Sequence, residues 1–417
     1  MSTRDGEVTT AHTIRAKRGA NLTGANAHNR RIVIDALRVN GALSRADLAR
    51  ATGLSGQTVS NLVGDLERQG LLVADLPLRG KGRGQPATPY RLLAEGAYAI
   101  GVQIDRHATR AVAIDLMGVD LVRLEASLPK GGPEVGLPVV IKLIEEVRTR
   151  LKAIAPAADG RLVGLGVAMP GPVGVISAAD DPWMMSAWQT LPLADYLNEA
   201  TGLDVAFRND ASAAAIAEKL SGAARGLDDF VYLYLGYGLG AGLMVRGEIH
   251  AGAAGNAGEI GMVLSSPFAS GRPVEHVASI AVLCRELDID PADPALFKRL
   301  DDAVGAGHAR AWISEAAPML RWAIHTLETL LDPATIVFGG SVPPSLLASL
   351  HDAMQPLLPS LADNTRRIWP RLVLGRGDPW MVAVGAAAEP IARTFEPRFS
   401  AVQSADPGLV AAVGAVG

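Results

Sequence analysis

The sequence has little cysteine, few aromatic residues and no long apolar run. One cysteine, Cys284, occurs in 417 residues, which excludes an internal disulfide bond and any metal site built from several cysteines. Aromatic residues make up 5% of the chain and all hydrophobic residues 49%, so the cores are predicted to be aliphatic. No apolar run reaches the roughly 20 residues that span a bilayer. The N-terminal MSTRDGEVTT lacks the apolar core of a signal peptide, so we expect a cytoplasmic protein that does not enter membranes.

Charge is divided unevenly along the chain. Residues 1–92 contain 14 Lys and Arg against 7 Asp and Glu, whereas the whole chain contains 39 against 43. The remaining 325 residues are therefore acidic, with 25 basic and 36 acidic side chains. A basic end on an acidic body is typical of a protein that contacts phosphates with that end and keeps nucleic acid off the rest of its surface.

Residues 29–72 carry the pattern of three short helices. Gly41 ends the first, and Ser44 and Ser55 stand at the N-cap positions of the second and third. Apolar residues recur at helical spacing along the first and third helices. They are Ile32, Val33, Ile34 and Leu37 in the first helix, and Val59, Leu62, Val63 and Leu66 in the third. Two apolar runs, 71–73 and 90–93, can then pair as the hairpin of a winged helix-turn-helix.

The polar face of the third predicted helix suits the major groove of double-stranded DNA. Its short side chains can hydrogen-bond base edges, and we expect Arg45 to contact phosphates. The candidate base-contacting residues are Gln57, Thr58, Ser60 and Asn61. A helical hairpin that packs on the body is the alternative, but the basic charge favours DNA. Because one short helix contacts few bases, we expect a homodimer or tetramer on a pseudo-palindromic operator.

Polar segments flank this head, which we assign to residues 28–93. Residues 1–27 are predicted to form a disordered basic tail. Within the Gly-rich stretch 78–93, Arg83 can enter a minor groove if the stretch forms part of the wing. A plain linker explains the same composition, and both interpretations stay open.

From residue 94 onward the pattern becomes that of an α/β domain. Three strands, a long helix at about 137–154 and a buried strand follow one another, and a similar series recurs from Phe230. Glycine-rich turns follow strands in both halves, which indicates a duplicated body of two lobes around one cleft. We assign residues 94–390 to this body and 391–417 to a C-terminal tail.

Several motifs occur in an order that one protein family shares. They are SRADLARATGLS and TVSNLVGDLERQGLL in the head, and GVAMPGPV, FRNDASAAAIAE, YLGYGLGAGLMVRGEI, GNAGEIG, VFGGSV and VAVGAAAEPI in the body. From about residue 29 to 390 the chain therefore resembles the ROK family of repressors, open reading frames and sugar kinases. The resemblance implies an actin/hexokinase-like fold, a duplicate of the ribonuclease H-like unit.

The resemblance also implies a phosphate-binding turn in each lobe, and both turns depart from the family pattern. The first reads approximately Asp-x-Gly-Gly-Thr in the family, but residues 103–107 are Gln, Ile, Asp, Arg and His. Side chains thus replace the glycines that let backbone amides approach phosphates. The second turn, 236–240, keeps its glycines but has Tyr237 where the family has Thr. We therefore expect no nucleotide cofactor and no enzyme activity.

The sugar-binding positions of the family are better retained. By the resemblance, Asp210 stands at the catalytic base, Asn209 at a residue that bonds sugar hydroxyls, and Glu259 at a carboxylate that accepts from them. Glu275 aligns with a second glutamate, less securely because its loop is about two residues shorter. Helix capping explains Asn209 or Asp210 equally well, and a solvated loop position explains Glu259.

Two further positions near the predicted cleft are candidate ligand contacts. Gly171 lies in a Pro-Gly-Pro loop that follows a buried strand. Trp188, with Trp183 nearby, offers an aromatic face that can stack on a sugar, although core packing explains it as well.

The zinc site of some family members is not retained. Met262 occupies the position of a histidine ligand, and residues 266–277 contain no cysteine. His276 has no sulfur partners there, so we expect no metal.

These features predict a sugar-responsive DNA-binding repressor with a degenerate, non-catalytic kinase fold. Its predicted effector is a sugar or a sugar phosphate bound in the cleft. The alternative is an active ATP-dependent sugar kinase with a fused DNA-binding domain and Asp210 as its base. A third possibility is a regulator whose body binds another protein.

Overall fold

The computed structural model describes residues 22–76, 87–172, 185–264 and 271–395. These residues form a head of three helices and a small sheet, followed by two lobes that are each built on a five-stranded sheet. Within these ranges no helix is long and apolar enough to cross a membrane.

The head has the winged-helix arrangement that the sequence predicts. Ser44 and Asp47 form a capping box at the start of its second helix, and the Ser55 hydroxyl accepts a hydrogen bond from the Thr58 amide (3.2 Å) at the start of the third. The strand order is β1-β3-β2, and all pairs are antiparallel. The elements are α1 (Leu22–Asn40), β1 (Leu43–Ser44), α2 (Arg45–Thr52), α3 (Gly56–Arg68), β2 (Leu72–Ala74) and β3 (Pro89–Leu92).

Lobe one is built on a five-stranded sheet, with α4 (Pro133–Ile154) on one face and the C-terminal helix of the body on the other. Its strand order is β6-β5-β4-β7-β8, in which β4, β7 and β8 are parallel and β5 and β6 are antiparallel. The elements are β4 (Tyr98–Ile104), β5 (Ala108–Asp115), β6 (Asp120–Ser127), α4 (Pro133–Ile154), β7 (Leu162–Met169), α5 (Met185–Thr190), α6 (Leu193–Thr201) and β8 (Val205–Asn209). The helix α7 (Asp210–Ser221) then leads to the second lobe.

Lobe two repeats this topology. Its order is β11-β10-β9-β12-β13, with the same parallel and antiparallel pairs, so the duplicated architecture is confirmed. The elements are β9 (Phe230–Leu235), β10 (Leu239–Val245), β11 (Glu248–Ile249), α8 (Ile280–Glu286), α9 (Leu296–Gly305), α10 (Arg310–Leu331), β12 (Ile336–Gly340), α11 (Pro344–Ala353), β13 (Leu372–Gly377) and α12 (Met381–Phe395).

Helices α7 and α12 pack side by side between the two sheets. A methyl group on Gly385 of α12 would lie only 1.7 Å from the carbonyl oxygen of Ala213 in α7. On lobe one, a methyl group on Gly166 would lie 1.8 Å from the Ala386 carbonyl oxygen of α12. On lobe two, a methyl group on Gly242 would lie 2.4 Å from the carbonyl oxygen of Ala211 in α7. The sheet of lobe one therefore rests on α12, and that of lobe two on α7.

The head shares a hydrophobic core with lobe one and α12. Leu71 and Leu92 of the head belong to the same buried cluster as Ile114 and Leu116 of lobe one and Ala387 of α12. The head is therefore packed against the body by apolar contacts and is not merely tethered to it.

Three element boundaries differ from those expected from the sequence. Helix α1 begins at Leu22, inside the predicted tail 1–27, because no proline interrupts it and each added residue adds a hydrogen bond. Helix α4 begins at Pro133 because proline is well accommodated in the first helical turn. Helix α12 continues to Phe395, so residues 391–395 are not part of a tail.

Four of the sequence predictions fall outside the described ranges. They concern Arg83, Trp183 and the outer parts of the two predicted tails, residues 1–21 and 396–417.

Replacement of Gly385 by Ala should lower the free energy of unfolding by about 1–3 kcal/mol or more, because the added methyl group must push α7 and α12 apart. Gly64→Ala in α3 is the matched control, since nothing lies within 4 Å of its added methyl group. It should stabilise the protein by up to about 1 kcal/mol through helix propensity. Urea denaturation measures both, and equal effects would contradict the close helix contact.

Candidate functional site

The outward face of α3 carries the four candidate base-contacting side chains. Gln57 and Asn61 are exposed one turn apart, and the Gln57 amide donates a hydrogen bond to Asn61 Oδ1 (3.0 Å). Thr58 and Ser60 are half-buried beside them. The opposite face of the helix is buried, as the spacing predicts, through Val59, Leu62, Val63 and Leu66. The helix is thus oriented with its polar face toward solvent.

Arg45 is the first residue of α2. Its side chain is exposed, and the guanidinium carbon is 5.1 Å from the centre of the Tyr90 ring on β3. Stacking on an aromatic ring positions the guanidinium and leaves its donors available for phosphate oxygens. The neighbouring Arg50 is instead hydrogen-bonded to Asp47.

Gly171, Asn209 and Glu259 meet in the cleft between the lobes. Since β7 and β8 are parallel neighbours, the residues that follow them lie at the same sheet edge. A methyl group on Gly171 would lie 2.2 Å from a carboxylate oxygen of Glu259 and 3.2 Å from the amide nitrogen of Asn209. The structure thus brings together three residues that are distant in sequence.

Asn209 is the N-cap of α7, which was the simpler interpretation of this residue. Its Oδ1 accepts a hydrogen bond from the Ser212 amide (2.9 Å). Its Nδ2 is the atom that faces Gly171, so the capping role leaves this donor directed into the cleft. The two roles are compatible because they use different atoms of the side chain.

Asp210 follows Asn209 at the start of α7 and lies near other carboxylates. Burial raises the pKa of Asp210 to about 7, and repulsion from Asp105 and Glu259 acts in the same direction. The Ala211 amide, which donates to Asp210 Oδ1 (2.7 Å), and the charge of Arg106 oppose this rise. Near neutral pH the carboxyl group therefore exchanges readily between its protonated and ionised forms.

Glu275 reaches the same cleft despite its shorter loop. A methyl group on Gly238 would lie 3.0 Å from a Glu275 carboxylate oxygen, and one on Gly261 would lie 2.9 Å from it. Burial, and then repulsion from Glu275, raise the pKa of Glu259. Glu259 and Glu275 are therefore close enough to influence each other and to act on one ligand.

The turns 103–107 and 236–240, one in each lobe, contact each other across the cleft. The guanidinium carbon of Arg106 is 4.9 Å from the centre of the Tyr237 ring, and the His107 ring packs edge-on against the same ring at 5.2 Å. Arg106 and His107 follow β4 in lobe one, whereas Tyr237 follows β9 in lobe two. Side chains thus join the two lobes at this point.

The backbone amides of these turns are also occupied. The Arg106 amide donates to Asp105 Oδ1 (2.7 Å), the Asp105 amide to the Ala108 carbonyl (3.1 Å) and the Gly236 amide to the Gly238 carbonyl (2.9 Å). Gln103, at the family's Asp position, is fully buried, and its amide atoms have no hydrogen-bond partner in the described part of the chain. A neutral amide there carries no charge with which to hold a cation.

The structure corrects the prediction that Trp188 contacts a ligand. Its side chain is 1% exposed and belongs to the core of lobe one. A methyl group on Gly136 of α4 would lie 2.3 Å from the ring, which shows how closely helix and ring pack. Core packing, the other interpretation of this residue, explains its position, because large apolar rings are favoured inside the lobe.

The donors near Met262 do not fit a zinc ion. Met262 is 48% exposed, and the described residues contain no group of three or more His, Cys, Asp or Glu side chains that could share a metal. His276 lies in a short turn beside Glu275.

The sequence did not predict the hydrogen bonds that hold the head on the body. Arg31 of α1 donates to the Gly247 carbonyl oxygen (2.6 Å) in lobe two, and Arg30 donates to the Phe395 carbonyl oxygen (3.1 Å) at the end of α12. A further bond runs from the Arg225 guanidinium, after α7, to the Arg38 carbonyl oxygen. Arginines on a helix surface give no sequence signal that distinguishes such partners from solvent.

Comparison with known families is consistent with this geometry. The model of the ROK family matches residues 99–369, and the model of the MarR family matches residues 27–83. A xylose repressor from Bacillus spizizenii (strain W23) is 26% identical over 251 residues, which cover 58% of this chain and 62% of the repressor. This chain therefore aligns with less than two thirds of that relative.

Two solved structures share the fold. A ROK family transcriptional regulator, a homologue of the E. coli MLC protein, superposes with a TM-score of 0.62 at 22% identity and covers 88% of this chain and 97% of its own. A ROK family glucokinase from Streptomyces griseus, in complex with glucose and AMPPNP, has a TM-score of 0.55 at 22% identity and covers 70% of this chain and 99% of its own.

Replacement of Asp105 by Asn should lower the pKa of Asp210 from about 7, because it removes one of the two repulsive charges. Burial, the largest cause, remains, so the pKa should stay above the ordinary value for aspartate. Carbon-13 NMR titration of the side-chain carboxyl groups measures this directly. Asp195→Asn, on the exposed surface of α6, should leave the pKa of Asp210 unchanged. An unchanged pKa in the Asp105 variant would show that the two carboxylates do not interact.

Proposed function

Because the chain belongs to the ROK family and carries a MarR-type winged helix ahead of its body, we propose that it is a sugar-responsive DNA-binding transcription regulator. It acts as a repressor of carbohydrate genes and transfers no phosphate. The xylose repressor among its relatives supports this assignment. The observation that carries it is the contact of Arg106 and His107 with Tyr237, where the kinases of the family hold phosphates.

That contact opposes nucleotide binding for two reasons. Phosphates could enter only if Arg106 left Tyr237 and its amide left Asp105, so several contacts would be lost first. The phosphates would then approach the negative charge of Asp105, which repels them at short range. The body therefore senses a ligand without phosphorylating it.

The head supplies the DNA contact. Helix α3 enters the major groove with Gln57, Thr58, Ser60 and Asn61 toward the base edges, and Arg45 contacts the backbone. A single short helix reads too few base pairs for specificity, so the protein binds a pseudo-palindromic operator as a symmetric dimer or tetramer.

The cleft supplies the sugar contact. Asn209 Nδ2 is a donor, and the carboxylates of Glu259 and Glu275 are acceptors, which together can bridge neighbouring hydroxyl groups of a sugar or sugar phosphate. Asp210, with its pKa near 7, can donate or accept a hydrogen bond at neutral pH.

The contacts between the head and the body couple ligand binding in the cleft to DNA binding by the head. The head shares apolar contacts with lobe one, and Arg31 bonds to Gly247 of lobe two, so a change in the angle between the lobes alters both contacts. A ligand shifts DNA affinity only by its differential affinity for the two lobe arrangements.

The second candidate function is a working sugar kinase, and Asp210 favours it. A carboxylate with a pKa near 7 suits a general base for a sugar hydroxyl. This candidate requires the contact of Arg106 with Tyr237 to open when nucleotide binds.

Replacement of Asn61 by Ala should reduce discrimination between operator variants by about 1–3 kcal/mol at one base position, because a base contact is lost. Arg45→Ala should weaken binding to all DNA alike and reduce its salt dependence. Fluorescence anisotropy on DNA from upstream of the protein's own gene measures both. Arg150→Ala, on the exposed face of α4, is the control. If Asn61→Ala and Arg45→Ala act uniformly on every sequence, α3 does not read the groove.

One sugar or sugar phosphate of a panel should change the affinity for the operator severalfold without ATP. Glu259→Gln should abolish this response, because the group that accepts hydrogen bonds from the sugar hydroxyls loses its charge. Glu145→Gln, exposed on α4, should respond like the native protein. A coupled ADP-release assay on the same panel should give no turnover. Turnover that disappears in Asp210→Asn would establish the kinase instead.

A further inference from the structure

A cavity of about 390 Å³ lies at the joint between the head and the body. Its walls come from α1 and the end of α2 in the head, from β5, α7 and α12, and from β10 of lobe two. None of the cleft residues Asn209, Asp210 and Glu259 lines it, so the cavity is separate from the proposed sugar site. Its volume is within the range of small-molecule sites.

The interior of this joint cavity is apolar. Side chains from five elements or loops face it without filling it, and most of them are buried or half-buried. They are Ile114, Leu116, Ile216, Leu220, Met244 and Ile391. A hydrocarbon chain or ring would gain from burial against these side chains.

The charged side chains that line the joint cavity are mostly basic. Four cationic side chains stand there against two carboxylates: Arg31, Arg38, Lys219 and Arg225 against Asp35 and Asp228. Lys219 is bonded to Asp228 (2.7 Å), and Arg31 to Glu248 (3.4 Å). Arg225 is exposed, donates one bond to the Arg38 carbonyl oxygen and forms no ion pair with an acid in the described ranges. Its remaining guanidinium donors are available to an anion.

We propose that the joint cavity binds a small amphipathic carboxylate, with its apolar part among the interior side chains and its carboxylate at Arg225. The ligand lies between α1 of the head and helices α7 and α12 of the body, so its binding fixes the angle of the head. The cavity is thus a second input to the head, chemically distinct from the sugar cleft. The assignment rests on the joint alone and does not depend on the proposed sugar response.

Octanoate and 1-octanol are matched probes, because they share an apolar chain and differ in charge. Isothermal titration of the full chain should show one octanoate per chain, with octanol bound about tenfold more weakly. Arg225→Ala should reduce octanoate affinity to that of octanol and leave octanol binding unchanged. Arg150→Ala, remote from the cavity, should change neither.

Ile216→Trp fills the joint cavity from the body and Ala36→Trp fills it from the head, so each should abolish binding of both probes. Val135→Trp, on the exposed face of α4, should bind like the native protein. Two cavity-filling variants are used so that the test still holds if one of them does not fold. Thermal unfolding shows which variants are folded. The absence of octanoate binding at millimolar concentration, or its persistence in a folded filling variant, would overturn the site. Equal affinity for the two probes would overturn the assignment of an anion.

Discussion

The contact of α7 with α12 is the constraint on which the body depends. Gly385 approaches the Ala213 backbone so closely that no side chain fits between them, and Gly166 and Gly242 likewise let the two sheets pack closely on these helices. This packing sets the distance between the lobes and hence the width of the cleft. Because α7 begins at Asp210 and is capped by Asn209, the same contact also positions two of the proposed sugar-binding residues. Small residues are required there because interiors are packed without spare volume.

The electrostatics of the cleft follow from this arrangement. The fold places Asp105, Asp210, Glu259 and Glu275 around one narrow space, where burial and mutual repulsion raise the pKa values of Asp210 and Glu259. Arg106 lies above the Tyr237 ring and partly offsets this charge. Such a cleft suits the proposed sugar, whose hydroxyl groups can donate to carboxylates. Asp105 and Arg106, which stand where the family pattern has glycines, thus add side chains and charge at this turn.

The position of the head explains how a ligand bound in the body can change the affinity of the head for DNA. Apolar side chains bind the head to lobe one, whereas Arg31 binds it to lobe two, so the head is sensitive to the angle between the lobes. Helix α7 connects these regions directly, since its start faces the cleft and its end lines the joint cavity. The proposed sugar cleft and the proposed joint site therefore act on the same interface from different sides. Two inputs of different chemistry would let one operator respond to two metabolic signals.

The sequence alone determined the elements of the head, the duplicated order of strands and helices, and the departure of residues 103–107 from the family pattern. These depend on local patterns, such as the N-caps Ser44 and Ser55 and the apolar spacing of α3, which tertiary contacts did not override. It did not determine that Trp188 packs in the core, that Arg106 and His107 contact Tyr237, or that a cavity lies at the joint between head and body. Each of these depends on residues far apart in the chain, whose distance is set only when α7 and α12 bring the lobes together. Local periodicity decides which face of an element is buried, but only tertiary packing decides what that face meets.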